Sequence, residues 1–216
     1  MASPTQERRS PGRPPDLGLL ERRRIEILEI ATLRFAQHGF TATDMQLVAD
    51  ELGVGKGTIY RYFVNKEDLF LAAVDQGMRR LTETLQERTK SASSPIESIE
   101  LAVKAYLEYF DRHPEVIELL IQERAYFRER EKPTYFAHRD ANLESWKDLF
   151  KGLIAEGQIR HVPVERITDV ISDLLYGTIF TNHFAKRKKS LVRQCKDVLD
   201  ILFNGLLVDN RRGSHE

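Results

Sequence analysis

The chain has 216 residues, 41% hydrophobic and 31% charged, and its 33 basic residues balance 33 acidic ones. That is enough for one large or two small domains with real cores, and no apolar run approaches the roughly 20 residues of a membrane-spanning helix. The N-terminal MASPTQERRSPGRPPD has no apolar stretch for a secretory signal, and the lone Cys195 excludes an internal disulfide and a multi-cysteine metal site, so a reducing cytoplasm is the expected compartment.

Residues 1–18 hold four of the eight prolines and lack hydrophobic periodicity, which predicts a flexible basic arm. Within it, Pro11-Gly12-Arg13-Pro14 is similar to the Gly-Arg-Pro core of minor-groove hooks, although composition alone also explains the segment. From Leu19 the pattern is helical, with Ile27, Ile30, Ala31 and Phe35 three or four apart, and His38-Gly39 ends the helix. Thr43 and Gln46 have the spacing of a capping box, and Met45, Val48, Ala49 and Leu52 share one face of a short second helix. A third helix is predicted from Lys56 to Phe63 with Ile59 and Phe63 inward, then a long one from the Asn65 cap to about Lys90. Gly77, in the middle of that helix, is either a bending point or a tolerated glycine. Beyond SASSP (residues 91–95) five more helices are expected, at about 96–112, 114–130, 134–156, 164–187 and 190–208, and no strand pattern intervenes. The fold class is therefore all-α, with about nine helices.

GVGKGT (residues 53–58) imitates the phosphate loop of nucleotide kinases. Such a loop needs a buried strand feeding it. Here the feeder, DMQLVADEL, is an amphipathic helix, Asp50 stands where a glycine belongs, and Gly57 separates Lys56 from Thr58. Helix, glycine, one apolar residue and second helix make a helix-turn-helix instead. Between Lys56 and Lys66 there is no acidic residue, so this stretch is locally positive in a neutral chain.

The segment GFTATDMQLVADELGVGKGTIYRYFVNKEDLF resembles the DNA-binding signature of the TetR family of bacterial regulators. The likeness rests on Gly39-Phe40, Thr41 and Thr43, Val48-Ala49, Gly53-Val54, Tyr60-Arg61-Tyr62-Phe63 and Lys66-Glu67, and departs from the family where Ala42 separates the threonines and Gly55 replaces serine. The resemblance implies phosphate contacts from Thr43, Tyr60 and Lys66, and base or groove contacts from Lys56, Gly57, Thr58 and Arg61. It also implies a helix-turn-helix domain over residues 19–66, a regulatory and dimerisation domain over 67–208, and a tail at 209–216.

Two long C-terminal helices carry apolar stripes suited to a four-helix dimer bundle, and Ile167, Ile171, Leu174, Thr178, Val198, Leu202 and Phe203 are the candidate interface. In the resembled family the preceding helices surround a small-molecule pocket, for which Tyr106, Phe110, Glu123, Tyr126, Phe127 and Trp146 are the candidates here, within an aromatic set that includes Tyr109, Tyr135 and Phe136 and with Arg124, His113 and Asn142 as further polar anchors. Aromatic residues at helical spacing more often form core, so both readings stand at this stage. No catalytic residues, metal site or cofactor is expected. The expected function is a homodimeric repressor, released from a palindromic double-stranded DNA operator by a small-molecule effector. The alternative is a TetR-like fold acting without effector, as a DNA-organising or protein-binding adaptor.

Overall fold

The computed structural model describes residues 17–187 and 190–205. The basic arm with its Gly-Arg-Pro sequence, Leu206 and the C-terminal tail lie outside them. Nine α-helices and no strand occur among the described residues: α1 Leu17–Ala42, α2 Met45–Glu51, α3 Lys56–Tyr60, α4 Lys66–Thr89, α5 Pro95–Arg112, α6 Pro114–Tyr126, α7 Thr134–Ala155, α8 Val164–Phe184 and α9 Leu191–Asn204. The all-α architecture expected from the periodicity is the one observed.

In α1 to α3 the period-3.6 apolar residues meet at one point. Ile27, Ala31 and Phe35 of α1, Val48 and Ala49 of α2, and Ile59 and Phe63 around α3 are all fully buried or nearly so. Within α1, Gly39 leaves helical geometry at φ 81° and ψ 163°, a conformation nearly closed to other residues, and this turns the chain from α1 toward α2. At the second turn Gly53 takes φ 65° and its N–H bonds to the Asp50 carbonyl at 3.0 Å. Val54 donates back to the Ala49 carbonyl at 3.0 Å, which closes the bend between α2 and α3.

The α2 cap differs from the expected one by a residue. Asp44, not Thr43, is the N-cap, accepting from the backbone N–H of Gln46 at 2.7 Å and Leu47 at 3.0 Å. A carboxylate accepts more strongly than a hydroxyl and lies at the positive helix end. Thr43 is buried, and its hydroxyl donates to the Arg34 carbonyl at 3.1 Å.

Helix α4 joins the two halves of the molecule. Its N-terminus is capped by Asn65, which accepts from Asp68 N–H at 2.8 Å, while Asp68 accepts from Val64 N–H at 3.0 Å. Leu69 and Phe70 bury into the α1–α3 core, and Met78 and Leu81, two to three turns on, bury among α5 to α8. The hydrophobic core is continuous across both halves. Gly77 is a contact point rather than a bend: a Cβ there would stand 2.9 Å from a Val116 methyl of α6, and the Tyr109 hydroxyl donates to the Gly77 carbonyl at 2.6 Å. No helix among the described residues is long and apolar enough to cross a membrane.

Candidate nucleic-acid interface and ligand cavity

Because Ile59 and Phe63 face inward, α3 turns its other side to solvent. Lys56, Gly57, Tyr60 and Arg61 are exposed, and Thr58 is half-buried. The Lys56 ammonium stands 5.9 Å from the centre of the Tyr60 ring, one helical turn away, where a cation and an aromatic face attract. An added Cβ at Gly55 or Gly57 would meet open space, so nothing in the protein itself requires glycine at either position. Of the seven predicted DNA-contacting residues, these five lie together on one surface. Thr43 lies apart from them, its side chain buried and its hydroxyl donating to the Arg34 carbonyl. Lys66 is partly committed: its ammonium donates to the carbonyls of Phe40 at 2.9 Å and Thr41 at 3.2 Å, and lies 4.5 Å from the Phe40 ring centre. One of its three protons remains for an outside partner.

Charge around this face is shaped by the caps. The Leu47 N–H holds the Asp44 carboxyl below its ordinary value of 3.8 against the opposing effect of burial, helped by Gln46 N–H and by the charges of Lys56 and Lys66. Arg34 pairs with Glu51 and so ties α1 to α2.

Between α4, α5, α7 and α8 lies a mainly apolar cavity of about 170 Å³. Met78 and Leu81 of α4, Val103 and Tyr106 of α5, Tyr135 and Trp146 of α7, and Ile171 and Leu175 of α8 line it, with Thr82, Gln86, His138, Arg139 and Asn142 as polar lining. His138 also reaches α4, its Nε2 lying 2.8 Å from Asp75 Oδ1. Burial raises the Asp75 carboxyl, but the bonds and charges of His138 and Arg79 outweigh it and leave the group below its ordinary value.

Tyr106 and Trp146 of the six predicted pocket residues line this cavity; the other four have different work. Phe110 packs edge-on behind Tyr106, with ring centres 5.0 Å apart. Glu123 is buried and accepts from the backbone N–H of Thr134 at 3.0 Å and from its hydroxyl at 2.7 Å, closing the α6–α7 connection. Tyr126 and Phe127 belong to the seam between the two halves: Phe40 lies 5.3 Å from Tyr126, 5.1 Å from Phe127 and 5.2 Å from Phe70. Beside them Gln122 Nε2 of α6 donates to the Phe35 carbonyl of α1 at 2.9 Å. Tyr135 and Asn142, offered by the sequence among the aromatic residues and polar anchors of these helices, also line the cavity, whereas His113 and Arg124 do not. The sequence reading missed His138, whose spacing with Tyr135, Asn142, Trp146 and Phe150 on one face of α7 is the signal that would have found it.

The predicted dimer residues also divide. Leu174 and Phe203 are exposed, with Val170 and Val192 beside them, and Thr178 is half-buried. Ile167 and Leu202 are partly buried against the core. Ile171 lines the cavity and Val198 is buried within the chain.

Residues 27–73 match the family model described as bacterial regulatory proteins, tetR family. The segment is a TetR-family DNA-binding domain. Similar proteins with this domain include the HTH-type transcriptional regulator YhgD of Bacillus subtilis, 39% identical over 43% of this chain and 49% of its own length, so the chain spans about half of that relative. The transcriptional repressor KstR2 of Mycobacterium tuberculosis is 27% identical over 75% of this chain and 78% of its own. Among solved structures, the regulator FadR of Bacillus subtilis in complex with stearoyl-CoA superposes with a TM-score of 0.73 at 21% identity, over 85% of this chain and 99% of its own. At that identity the likeness concerns the fold. The match spans both the TetR-family segment and the helices that follow it, and shows their common fold.

Proposed function

We propose that the protein is a homodimeric transcriptional repressor, which grips a palindromic operator with two copies of α3 and is released by an apolar small-molecule effector. The observation that carries this reading is the continuity of α4, which begins beside the exposed Lys56–Arg61 surface and ends as a wall of the cavity. Lys56, Thr58, Tyr60 and Arg61 offer a cation, a hydroxyl, a phenol and a guanidinium, the groups that meet phosphates and base edges in a major groove. Glycine at position 57, which no neighbour in the protein requires, suits close approach of DNA to the helix. The exposed Val170, Leu174, Val192 and Phe203 supply an apolar face for a second copy, which a two-fold operator demands.

A largely apolar lining argues for an effector of the same character, and the stearoyl-CoA bound to the FadR relative is consistent with one. An effector that prefers one tilt of α4 would change the spacing of the paired α3 helices. The test is footprinting on the DNA flanking the protein's own gene, with and without apolar ligands. A discrete two-fold footprint that a ligand abolishes is expected. Broad coating with no footprint, insensitive to every ligand, would instead favour the adaptor function.

A further inference from the structure

Two buried aromatic side chains on the cavity wall carry hydroxyls. Tyr106 and Tyr135 are each 6% exposed, both line the cavity, and their hydroxyl oxygens are 2.9 Å apart. Each phenol brings one proton and one oxygen that accepts. Within the pair one hydroxyl donates to the other, and the second hydroxyl's own proton is left over. Among the described residues neither hydroxyl has another hydrogen-bond partner: the nearby Thr82 and Thr168 hydroxyls are spent on the Met78 and Val164 carbonyls. A buried donor left unmade is costly, and an acceptor that meets it is correspondingly favoured.

We infer that the tyrosine pair is the specificity element of the effector site: it donates one hydrogen bond to a neutral oxygen, such as a ketone or ester carbonyl, on an otherwise apolar ligand. This rests on the reading of the cavity as an effector site. The donor stays a donor, because burial pushes the Tyr106 phenol well up and the Tyr135 phenol up to about 12. A carboxylate fits less well. The guanidinium on the lining, Arg139, is engaged by Asp140, which takes Nε at 2.9 Å and Nη2 at 2.8 Å and is shared with Lys132, and Asp173 adds a negative charge near Tyr135. Aromatic rings flank the pair, with the ring centre of Phe110 5.0 Å from that of Tyr106 and the ring centre of Tyr176 4.8 Å from that of Tyr135.

The experiment compares decan-2-one with 2-methyldec-1-ene, in which a methylene replaces the carbonyl oxygen at nearly constant shape. Dissociation constants are measured by calorimetric titration of the full chain, wild type and Tyr106→Phe/Tyr135→Phe. The wild type should bind the ketone about five- to tenfold more tightly, the range of one neutral hydrogen bond, and the double variant, which leaves the carbonyl oxygen unpaired, should lose or reverse that preference. Equal binding of the two probes by the wild type would overturn the inference and leave the effector site standing. A ketone preference that survives in the double variant would overturn the assignment to these tyrosines. If neither probe binds, the effector reading falls and takes the inference with it. The wild-type ratio needs no variant, so the proposal does not depend on the double substitution folding.

Discussion

Gly57 and Asp44 separate what a residue does for the fold from what it offers a partner. Gly57 lies in α3 with open space where a Cβ would go, so Gly57→Ala should cost the protein nothing and, by reducing backbone freedom in the unfolded chain, stabilise it by about 0.5–1 kcal/mol. If the helix end approaches DNA as proposed, the same methyl should weaken operator binding. Thermal denaturation and a DNA titration on one sample check both signs, and unchanged operator affinity would remove glycine from the contact surface. Asp44 is the converse case, a residue of the fold. Asp44→Ala should destabilise by about 1 kcal/mol through loss of the α2 cap. Its carboxyl titrates lower in the folded chain than its ordinary 3.8, so the cap's contribution is complete above that value. It is lost as pH falls through the lower folded value. Wild type and variant should therefore converge in stability as pH falls below 3.8 and through the lower folded value, which acid denaturation curves measure.

Among the elements, α6 packs against both α1 and the middle of α4. Its C-terminal end brings Tyr126 and Phe127 against Phe40 and Phe70, and its N-terminal end brings Val116 against Gly77 in the middle of α4. The ring contacts at this seam, with Phe70 and Phe127 stacked 5.4 Å apart, are of the kind that add about 0.5–1.5 kcal/mol each beyond buried area. Phe127→Ala should cost about 1–3 kcal/mol of stability, less than a fully buried phenylalanine because the ring is only partly enclosed. Its expected functional signature is more specific: operator binding kept, response to effector weakened. DNA titrations with and without ligand read this directly, and an unchanged ligand response would assign the seam to stability alone.

For the whole molecule, the proposed dimer depends on an apolar face that the single chain leaves open. Leu174 and Phe203 are exposed at 36% and 37%, so replacing both with glutamate should leave the monomer fold intact, while placing four charges in a shared interface. Leu174→Glu/Phe203→Glu is expected to elute as a monomer with unchanged helicity and to lose operator affinity by two orders of magnitude or more, roughly the advantage of linking two half-sites. An undisturbed dimer in sedimentation would place the interface elsewhere.

The sequence by itself determined the helices, the turn at Gly53-Val54 and the outward set Lys56, Gly57, Tyr60 and Arg61. Each depends on short-range rules: the 3.6-residue period, positive φ at glycine, and caps within four residues. Even there the cap moved from Thr43 to Asp44, because two adjacent acceptors compete and only the surrounding packing, which buries Thr43, chooses between them. The cavity was decided by tertiary structure. Phe110, Tyr126, Phe127, Tyr135 and Trp146 are all aromatic residues of neighbouring helices, and composition gives no means of telling core, seam and cavity wall apart. Ile171 and Leu174 lie in the same apolar stripe of α8, yet one faces the cavity and the other solvent. A helix's periodicity says that it has a buried side; which neighbour buries each residue follows from where α4, α5 and α7 lie around it.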